Sequence, residues 1–279
     1  MFQYALGRYL AHKHQTELVL DMQPNVAAKH PTFELGVFKI QARIATVGDL
    51  PWSSGVPDGL IRKQAYKLCR LLQKADPVSI VTERHFHFDR SILDSPDNSY
   101  LDGYWQTEKY FKEIESVIRK EFILQSAPAG KNLELERQIE DTLSVAVHLR
   151  RGDYVANASL YKKHGVCSLE YYRRAFDYIL AKYTNPVFYI FSDDMDWAKN
   201  HINVASPIVF VNYNSGAASY EDMRLMSLCK HNIIANSTFS WWAAWLNKNK
   251  ERTVIAPQSW FNDSSLSTAD LIPDGWIRL

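Results

Sequence analysis

Apolar and polar positions alternate most regularly between about residues 143 and 256, where short apolar runs are separated by amphipathic segments. Five runs predict strands, over residues 143–149, 187–191, 208–211, 233–235 and 253–256. Apolar residues at helical spacing predict helices between them: Ser168 is the predicted N-cap of one, and Ser219 with Asp222 three residues later predicts a capped start for another. Continuous apolar strands that alternate with helices are typical of a parallel sheet covered on both faces. We therefore predict an α/β fold.

The first half of the chain has a less regular pattern. It predicts a helix over residues 1–14, a strand over 17–20, and helices over 60–74 and 108–122. Residues 125–131 contain proline, glycine and small side chains, which indicates a linker. We therefore predict two lobes, residues 1–127 and residues 132–279.

Composition narrows the class of protein. Hydrophobic residues make up 46% of the chain and charged residues 23%, which is ordinary for a globular protein. The net charge of +1 gives no global field that would attract nucleic acid, so we expect no nucleic-acid partner. Cys69, Cys167 and Cys229 are far apart and odd in number, which fits a reducing cytoplasm better than a disulfide framework or a zinc site.

Polar residues follow three of the predicted strands. Residues 150–153 follow the first strand, Asp193 and Asp194 follow the second, and residues 236–240 follow the fourth. Ligands of parallel sheets bind beyond the carboxyl ends of the strands. Because three polar loops converge on one edge of the predicted sheet, we expect a binding site there.

Arg150 and Arg151 stand at the end of a strand that is predicted to be buried. Guanidinium groups in such a place need an anionic partner, and their planar fork suits phosphate oxygens. Asp153 could hold one arginine while the other meets a ligand. An Arg–Asp pair that only ties down a loop is the alternative, and an adhesion tripeptide at residues 151–153 is a weak one.

The other two loops allow more than one function. Residues 236–238 offer hydroxyl and backbone N–H groups at a helix start, which suits an anion, although plain N-capping explains them equally well. Asp193 and Asp194 could accept hydrogen bonds from the N–H groups of guanine. Asp194 and Asp196 also match the DxD pattern of manganese-dependent glycosyltransferases, or the first turn of a helix.

Taken together, these segments resemble the bacterial α-1,2-fucosyltransferases of glycosyltransferase family 11. The segments that carry the resemblance lie in the family's order along nearly the whole chain: residues 1–5, 33–35, 103–106, 110–111, 148–154, 191–194, 220–222, 225–226 and 236–242.

The resemblance implies a GT-B-like fold, with two facing Rossmann-like lobes that contain parallel sheets: an acceptor-side lobe at residues 1–127 and a donor-binding lobe at residues 132–279. It implies an inverting transfer of L-fucose from GDP-β-L-fucose to the 2-hydroxyl of a galactose-type acceptor, in glycan or lipopolysaccharide O-antigen synthesis. GDP-fucose is then a co-substrate, the galactose-containing glycan is the acceptor, and neither a metal nor another cofactor is expected.

The resemblance also assigns roles to residues. Arg150 is expected to contact the diphosphate, and Arg151, His148 and Asp153 to shape the site. The donor phosphate is expected near Asn236, Ser237, Thr238 and Ser240, and the nucleoside near Asp193 or Asp194. Asp153 is our candidate for the general base that takes the acceptor proton.

The chain departs from the family at its start, because the family's first strand and glycine-rich loop would stand just before Met1. We therefore expect a first lobe that lacks its N-terminal strand. Three alternatives stay open: a remnant that binds nucleotide or glycan without transfer, a fucosyltransferase of different linkage, and a cytoplasmic enzyme that contacts the inner face of the membrane through the basic helix predicted over residues 60–74.

Overall fold

The computed structural model describes residues 1–22, 33–46, 49, 78–263 and 265–279. The chain divides into two compact units, the N-terminal unit (Met1–Glu121) and the C-terminal unit (Phe122–Leu279). The basic helix predicted over residues 60–74 and Cys69 lie outside the described residues. Within those residues, no helix is long and apolar enough to cross a membrane.

The N-terminal unit begins with helix α1 (Phe2–His14), as predicted. Helix α1 ends at Gln15, whose backbone is left-handed with φ 55°. Two pairs of short parallel strands follow, β1 (Val19–Leu20) with β2 (Arg43–Ile44) and β3 (Ser79–Thr82) with β4 (Ser99–Asp102).

The helix predicted over residues 108–122 is interrupted. Two 3₁₀ turns, Glu108–Tyr110 and Lys112–Ile114, precede the regular helix α2 (Glu115–Glu121). The interruption lies at Phe111, which is fully buried and has non-helical backbone angles of φ −133° and ψ 16°. Burial of this aromatic ring therefore competes with continuation of the helix.

The C-terminal unit contains one sheet of six parallel strands. The strands are β5 (Ser144–Leu149), β6 (Val187–Ser192), β7 (Ile208–Val211), β8 (His231–Ile233), β9 (Val254–Ala256) and β10 (Ile277–Arg278). Their order across the sheet is β10-β9-β8-β5-β6-β7, and every pair is parallel. This order is that of a doubly wound Rossmann sheet, so the prediction of an α/β fold with parallel sheets is confirmed. The facing arrangement of two lobes stays a prediction.

Seven helices connect and flank these strands in the described part of the C-terminal unit. They are α3 (Gly130–Asp141), α4 (Gly152–Ala156), α5 (Ala158–His164), α6 (Leu169–Lys182), α7 (Met195–His201), α8 (Tyr220–Leu228) and α9 (Thr238–Leu246). Ser168 caps α6 by accepting a hydrogen bond from the Tyr171 N–H at 3.1 Å, as predicted. The capped start predicted for α8 is wrong, because the Ser219 side chain makes no cap bond and Asp222 bonds Asn214 instead.

Strand β5 forms the centre of this unit. All six of its residues are buried, and successive side chains face opposite sides of the sheet. Val145, Val147 and Leu149 join the apolar cluster that includes Tyr172 and Phe176 of α6, whereas His148 lies on the other face, with its ring centroid 5.7 Å from that of Phe239. The chain order reverses between β5 and β8, so the sheet's topological switch point lies beside the carboxyl end of β5.

Candidate functional site

Arg150 is the first residue after β5, and its side chain lies between two carboxylates. Its Nη2 atom is 2.9 Å from Oδ2 of Asp153, and its Nε atom is 3.3 Å from Oδ2 of Asp193. The side chain remains 32% exposed. The predicted Arg–Asp pair is present, and it leaves the guanidinium open to a ligand at the carboxyl edge of the sheet.

The side chain of Arg151 is more buried than that of Arg150. Its backbone N–H donates to Oδ1 of Asp193 at 2.8 Å, and its guanidinium carbon lies 3.7 Å from the centroid of the Trp197 ring. The nearest carboxylate, Asp194, is 3.7 Å from Nε, which is buried and has no hydrogen-bond partner within the described part of the chain. A buried donor of this kind favours an acceptor brought by a ligand.

Gly152 allows the loop after β5 to pack directly on Asp193. A Cβ atom at position 152 would lie 3.0 Å from Oδ2 and 3.2 Å from Cγ of Asp193. A side chain here would therefore push Asp193 away from Arg150 and from the Arg151 N–H. The loops after β5 and β6 are joined through this contact.

His148 is buried beside the arginines. Burial, helped by the positive charge of Arg150, lowers the pKa of His148 to about 3. The ring is therefore neutral at physiological pH, and its buried Nδ1 has no hydrogen-bond partner in the residues the structure describes. A neutral ring of this kind can donate or accept a hydrogen bond, but it adds no charge to the site.

Asn236 holds the loops around the site together. Its amide nitrogen donates to the backbone oxygens of His164, Gly165 and Trp260 at 2.9, 3.4 and 3.1 Å. Its Oδ1 atom accepts from the thiol of Cys167 at 3.5 Å. These bonds engage both ends of the amide, so the structure gives Asn236 a role in positioning loops. Direct contact with the donor stays a prediction.

Ser237 and Thr238 begin helix α9 next to the switch point. Ser237 is the N-cap, and its hydroxyl accepts from the Phe239 N–H at 3.4 Å. Thr238 is half-buried, whereas Ser240 is buried and its hydroxyl donates back to the Ser237 carbonyl at 3.3 Å. The helix therefore presents its first N–H groups at the edge where a phosphate would be bound.

The Asp194–Asp196 pattern forms a helix start. Asp194 caps α7 by accepting from the Trp197 N–H at 3.2 Å, and Asp196 lies in the first turn. In the described residues, no group of three or more histidine, cysteine or acidic side chains has the arrangement to hold a metal ion. Asp193 and Asp194 are both engaged by the arginines, and their predicted contact with the nucleoside stays a prediction.

Asp222 is a candidate that the sequence indicated as part of a helix cap and within the family-like segment 220–222, but without a role in the site. It follows β7, at the start of α8, and therefore lies at the carboxyl edge of the sheet. Burial raises the pKa of its carboxyl to about 7, against a hydrogen bond from the Asn214 amide at 2.8 Å. A strongly perturbed carboxyl at a ligand-binding edge marks a functional-site candidate. The family-like segment 220–222 was the signal that could have pointed to it, together with the polar loop that precedes α8.

The family model for glycosyl transferase family 11 matches residues 81–279 of the chain. The chain belongs to this family. The matched region contains the whole C-terminal sheet and every site residue described above.

Curated relatives match shorter parts of the chain. An Escherichia coli alpha-1,2-colitosyltransferase is 41% identical over 181 residues, which are 63% of this chain and 61% of the relative. The O-antigen biosynthesis glycosyltransferase WbnK of Escherichia coli is 42% identical over 50% of this chain and 46% of its own length. Galactoside alpha-(1,2)-fucosyltransferase 1 of Aotus azarae is 30% identical over 52% of this chain and 42% of its own length. The chain thus spans about half the length of these relatives.

Among solved structures, the NodZ α-1,6-fucosyltransferase soaked with GDP-fucose is similar to this chain. The similarity has a TM-score of 0.47 at 16% identity and covers 88% of this chain and 87% of NodZ.

Proposed function

We propose that this chain transfers L-fucose from GDP-β-L-fucose to the 2-hydroxyl of a galactose-type acceptor in O-antigen synthesis. The observation that carries the proposal is the pair of arginines after β5, at the switch point of a Rossmann sheet and beside the N-terminus of α9. Both features bind phosphate well. Family membership and the α-1,2 linkage in the names of two relatives support the reaction type.

The transfer proceeds by attack of the acceptor O2 on the anomeric carbon of fucose, from the face opposite GDP. The bond from the anomeric carbon to the β-phosphate oxygen breaks, and GDP leaves with the electron pair. Inversion converts the β-linked donor into an α-linked product. Arg150 and the N–H groups at the start of α9 stabilise the negative charge that develops on GDP.

A base must take the proton of the attacking hydroxyl, and Asp153 is our candidate. Its carboxylate is 45% exposed and holds Nη2 of Arg150 at 2.9 Å. A β-phosphate bound by Arg150 competes for the same guanidinium, which would release Asp153 toward the acceptor. His148 contributes a neutral ring to the wall of the site, since its pKa is about 3.

No metal takes part in this mechanism, because the arginines and the helix start carry the charge of the phosphates. Full activity after EDTA treatment is the expected result. A strict requirement for added manganese would point instead to metal-assisted departure of GDP.

Colitose, which is 3-deoxy-L-fucose, is a second candidate for the donor sugar, because the 41% identical relative is a colitosyltransferase. The test incubates the purified chain with a β-galactoside and either GDP-fucose or GDP-colitose, and determines the product linkage by NMR. We expect an α-1,2 product from GDP-fucose. Exclusive use of GDP-colitose would show that colitose, not fucose, is the sugar transferred. GDP binding without any transfer would favour the alternative that the chain is a remnant that binds nucleotide only.

A further inference from the structure

Tyr104 is the most exposed large hydrophobic residue in the part of the chain that the structure describes. Its relative exposure is 66%, whereas the neighbouring Trp105 is 1% exposed. Single exposed aromatic residues are common and need no explanation. The backbone that presents Tyr104, however, is constrained from several sides.

Trp105 adopts a left-handed backbone with φ 58°, which a bulky residue rarely does. Gly103, two residues earlier, is packed so closely that an added Cβ would lie 2.5 Å from Cβ of Glu83 and 2.7 Å from Cε2 of Trp105. Strained backbone persists only where the surroundings enforce it, and it is found preferentially at ligand-binding positions.

Glu83 enforces this conformation. Its Oε2 accepts from the Tyr104 N–H at 2.9 Å, and its Oε1 accepts from the Trp105 N–H at 3.0 Å. The side-chain amide of Gln3 donates to the Gly103 carbonyl at 2.8 Å. The Trp105 ring is fixed edge-on to Tyr110, with centroids 5.8 Å apart. A carboxylate, an amide and a buried ring thus hold the loop while the Tyr104 ring projects to solvent.

The loop lies where α/β proteins bind ligands. Strands β3 and β4 are parallel, and Glu83 and Gly103 are the residues that follow their carboxyl ends. The chain next to the two strand ends carries further hydrogen-bonding groups: the half-buried Gln106 lies two residues after Tyr104, and the exposed rings of His85 and His87, just after Glu83 in sequence, stack with centroids 3.6 Å apart. A rigid aromatic ring on a loop that also carries hydrogen-bonding side chains suits a pyranose, whose C–H groups form an apolar face and whose rim carries hydroxyls.

We propose that Tyr104 is a binding platform for the acceptor sugar, with its ring against the C–H face of a galactose-type pyranose. This inference rests on the proposed function, which supplies the acceptor class. Glu83 and Trp105 act as positioning residues that fix the platform. The ring has few contacts to lose, so its removal affects sugar binding and leaves the fold unchanged.

The first test measures transfer kinetics of Tyr104→Ala and Tyr104→Phe against both substrates. We expect Tyr104→Ala to raise the KM for the galactoside about fivefold, with the KM for the nucleotide sugar unchanged. Tyr104→Phe keeps the apolar face and is expected to stay within about twofold of wild type. Tyr178→Ala on α6 is the matched control, because it removes another exposed tyrosine.

The second test needs no transfer, and so separates this inference from the proposed function. Titration of a methyl β-galactoside into the intact chain, followed by saturation-transfer NMR, is expected to show binding that Tyr104→Ala weakens about fivefold and Tyr178→Ala leaves unchanged. If this binding pattern is found but no sugar is transferred from any donor, the proposed function is refuted and the inference about Tyr104 stands. Three results would contradict the proposal that Tyr104 binds the acceptor sugar. They are unchanged galactoside binding in Tyr104→Ala, no galactoside binding to wild type, and a loss of GDP binding in Tyr104→Ala instead of a loss of galactoside binding.

Discussion

Arg150 shows at the scale of one residue how the site combines structure and chemistry. Its Nε and Nη2 atoms engage two carboxylates from different segments, Asp193 after β6 and Asp153 in α4. A planar fork can hold both at once, whereas the single ammonium group of a lysine cannot match that geometry. The residue type is therefore as important as the charge.

We predict that Arg150→Lys lowers kcat about 10²-fold or more while the melting temperature changes little, because the lost fork stabilises the departing GDP. The control is Arg173→Lys on α6, where the arginine side chain is 70% exposed and pairs only loosely with Glu170 at 3.8 Å. Near-normal turnover in Arg150→Lys would remove Arg150 from the role of leaving-group stabiliser.

Asp222 allows a prediction about stability. Its raised pKa, about 7, means that the folded chain favours the protonated carboxyl, so ionisation costs stability as the pH rises from about 4 to above 7. Asp222→Asn mimics the protonated form and can still accept from Asn214. We expect it to raise the melting temperature by about 2–4 °C at pH 8 and by less at pH 5.

Asp177→Asn provides the control, since it makes the same change in charge at an exposed position of α6. It is expected to shift the melting temperature equally at both pH values. An equal shift in Asp222→Asn as well would show that burial does not perturb this carboxyl.

At the scale of elements, sequence predicted the strands that are apolar runs, whether they are fully buried as in β5 or mostly half-buried as in β7. Strands β5, β6 and β7 were predicted within about a residue, because each is a continuous apolar run. Strand β8 was placed too late, since it begins with the polar His231 and Asn232, whose burial depends on partners elsewhere: Asn232 donates to the Met226 carbonyl at 2.8 Å. Strand β10 has two half-buried residues and no detectable pattern.

The site was predictable in the same uneven way. The position of the site could be predicted from the sequence, because polar residues after buried strands must gather at one edge of a parallel sheet. The pairing of residues within the site could not be predicted, because Arg151 and Asp193 are 42 residues apart and meet only through the close approach of Gly152. Asn236 illustrates the limit: its residue type suits a ligand, but the fold uses its amide to hold three backbone carbonyls.

Helix α9 gives a prediction at this scale. Ser237→Ala removes the cap bond to Phe239 and is expected to cost about 0.5–1 kcal/mol of stability. It also loosens the N–H groups that would face the phosphates, so the Kd for GDP is expected to rise about threefold, measured by calorimetry. Ser168→Ala on α6 removes a comparable cap and is expected to lower stability alone. Equal GDP affinity in both variants would exclude the α9 start from the donor site.

At the scale of the whole molecule, two buried histidines and the half-buried Asp222 change stability in opposite directions as the pH falls. Burial lowers the pKa of His148 to about 3 and that of His231 to about 4, with smaller contributions from the charges of Arg150 and Lys182 respectively. Below about pH 6.5 the unfolded chain therefore binds protons that the folded chain resists, and stability falls. Asp222 responds in the opposite sense, because its raised pKa makes the folded chain bind a proton more readily over the same range.

Because these contributions oppose each other, we predict that the melting temperature of the wild-type chain depends only weakly on pH. It should depend on pH more steeply when Asp222 is replaced. Between pH 7.5 and pH 5, we expect the melting temperature of Asp222→Asn to fall about 2 °C further than that of wild type. His231→Asn keeps an acceptor for the Thr253 N–H, which His231 Nδ1 now binds at 3.0 Å, and placed in the Asp222→Asn chain it is expected to remove about half of the fall. His201→Asn, at an exposed position, is the control and is expected to leave the slope unchanged. If the melting temperatures of wild type and Asp222→Asn change equally with pH, the buried histidines and Asp222 do not govern stability in this pH range.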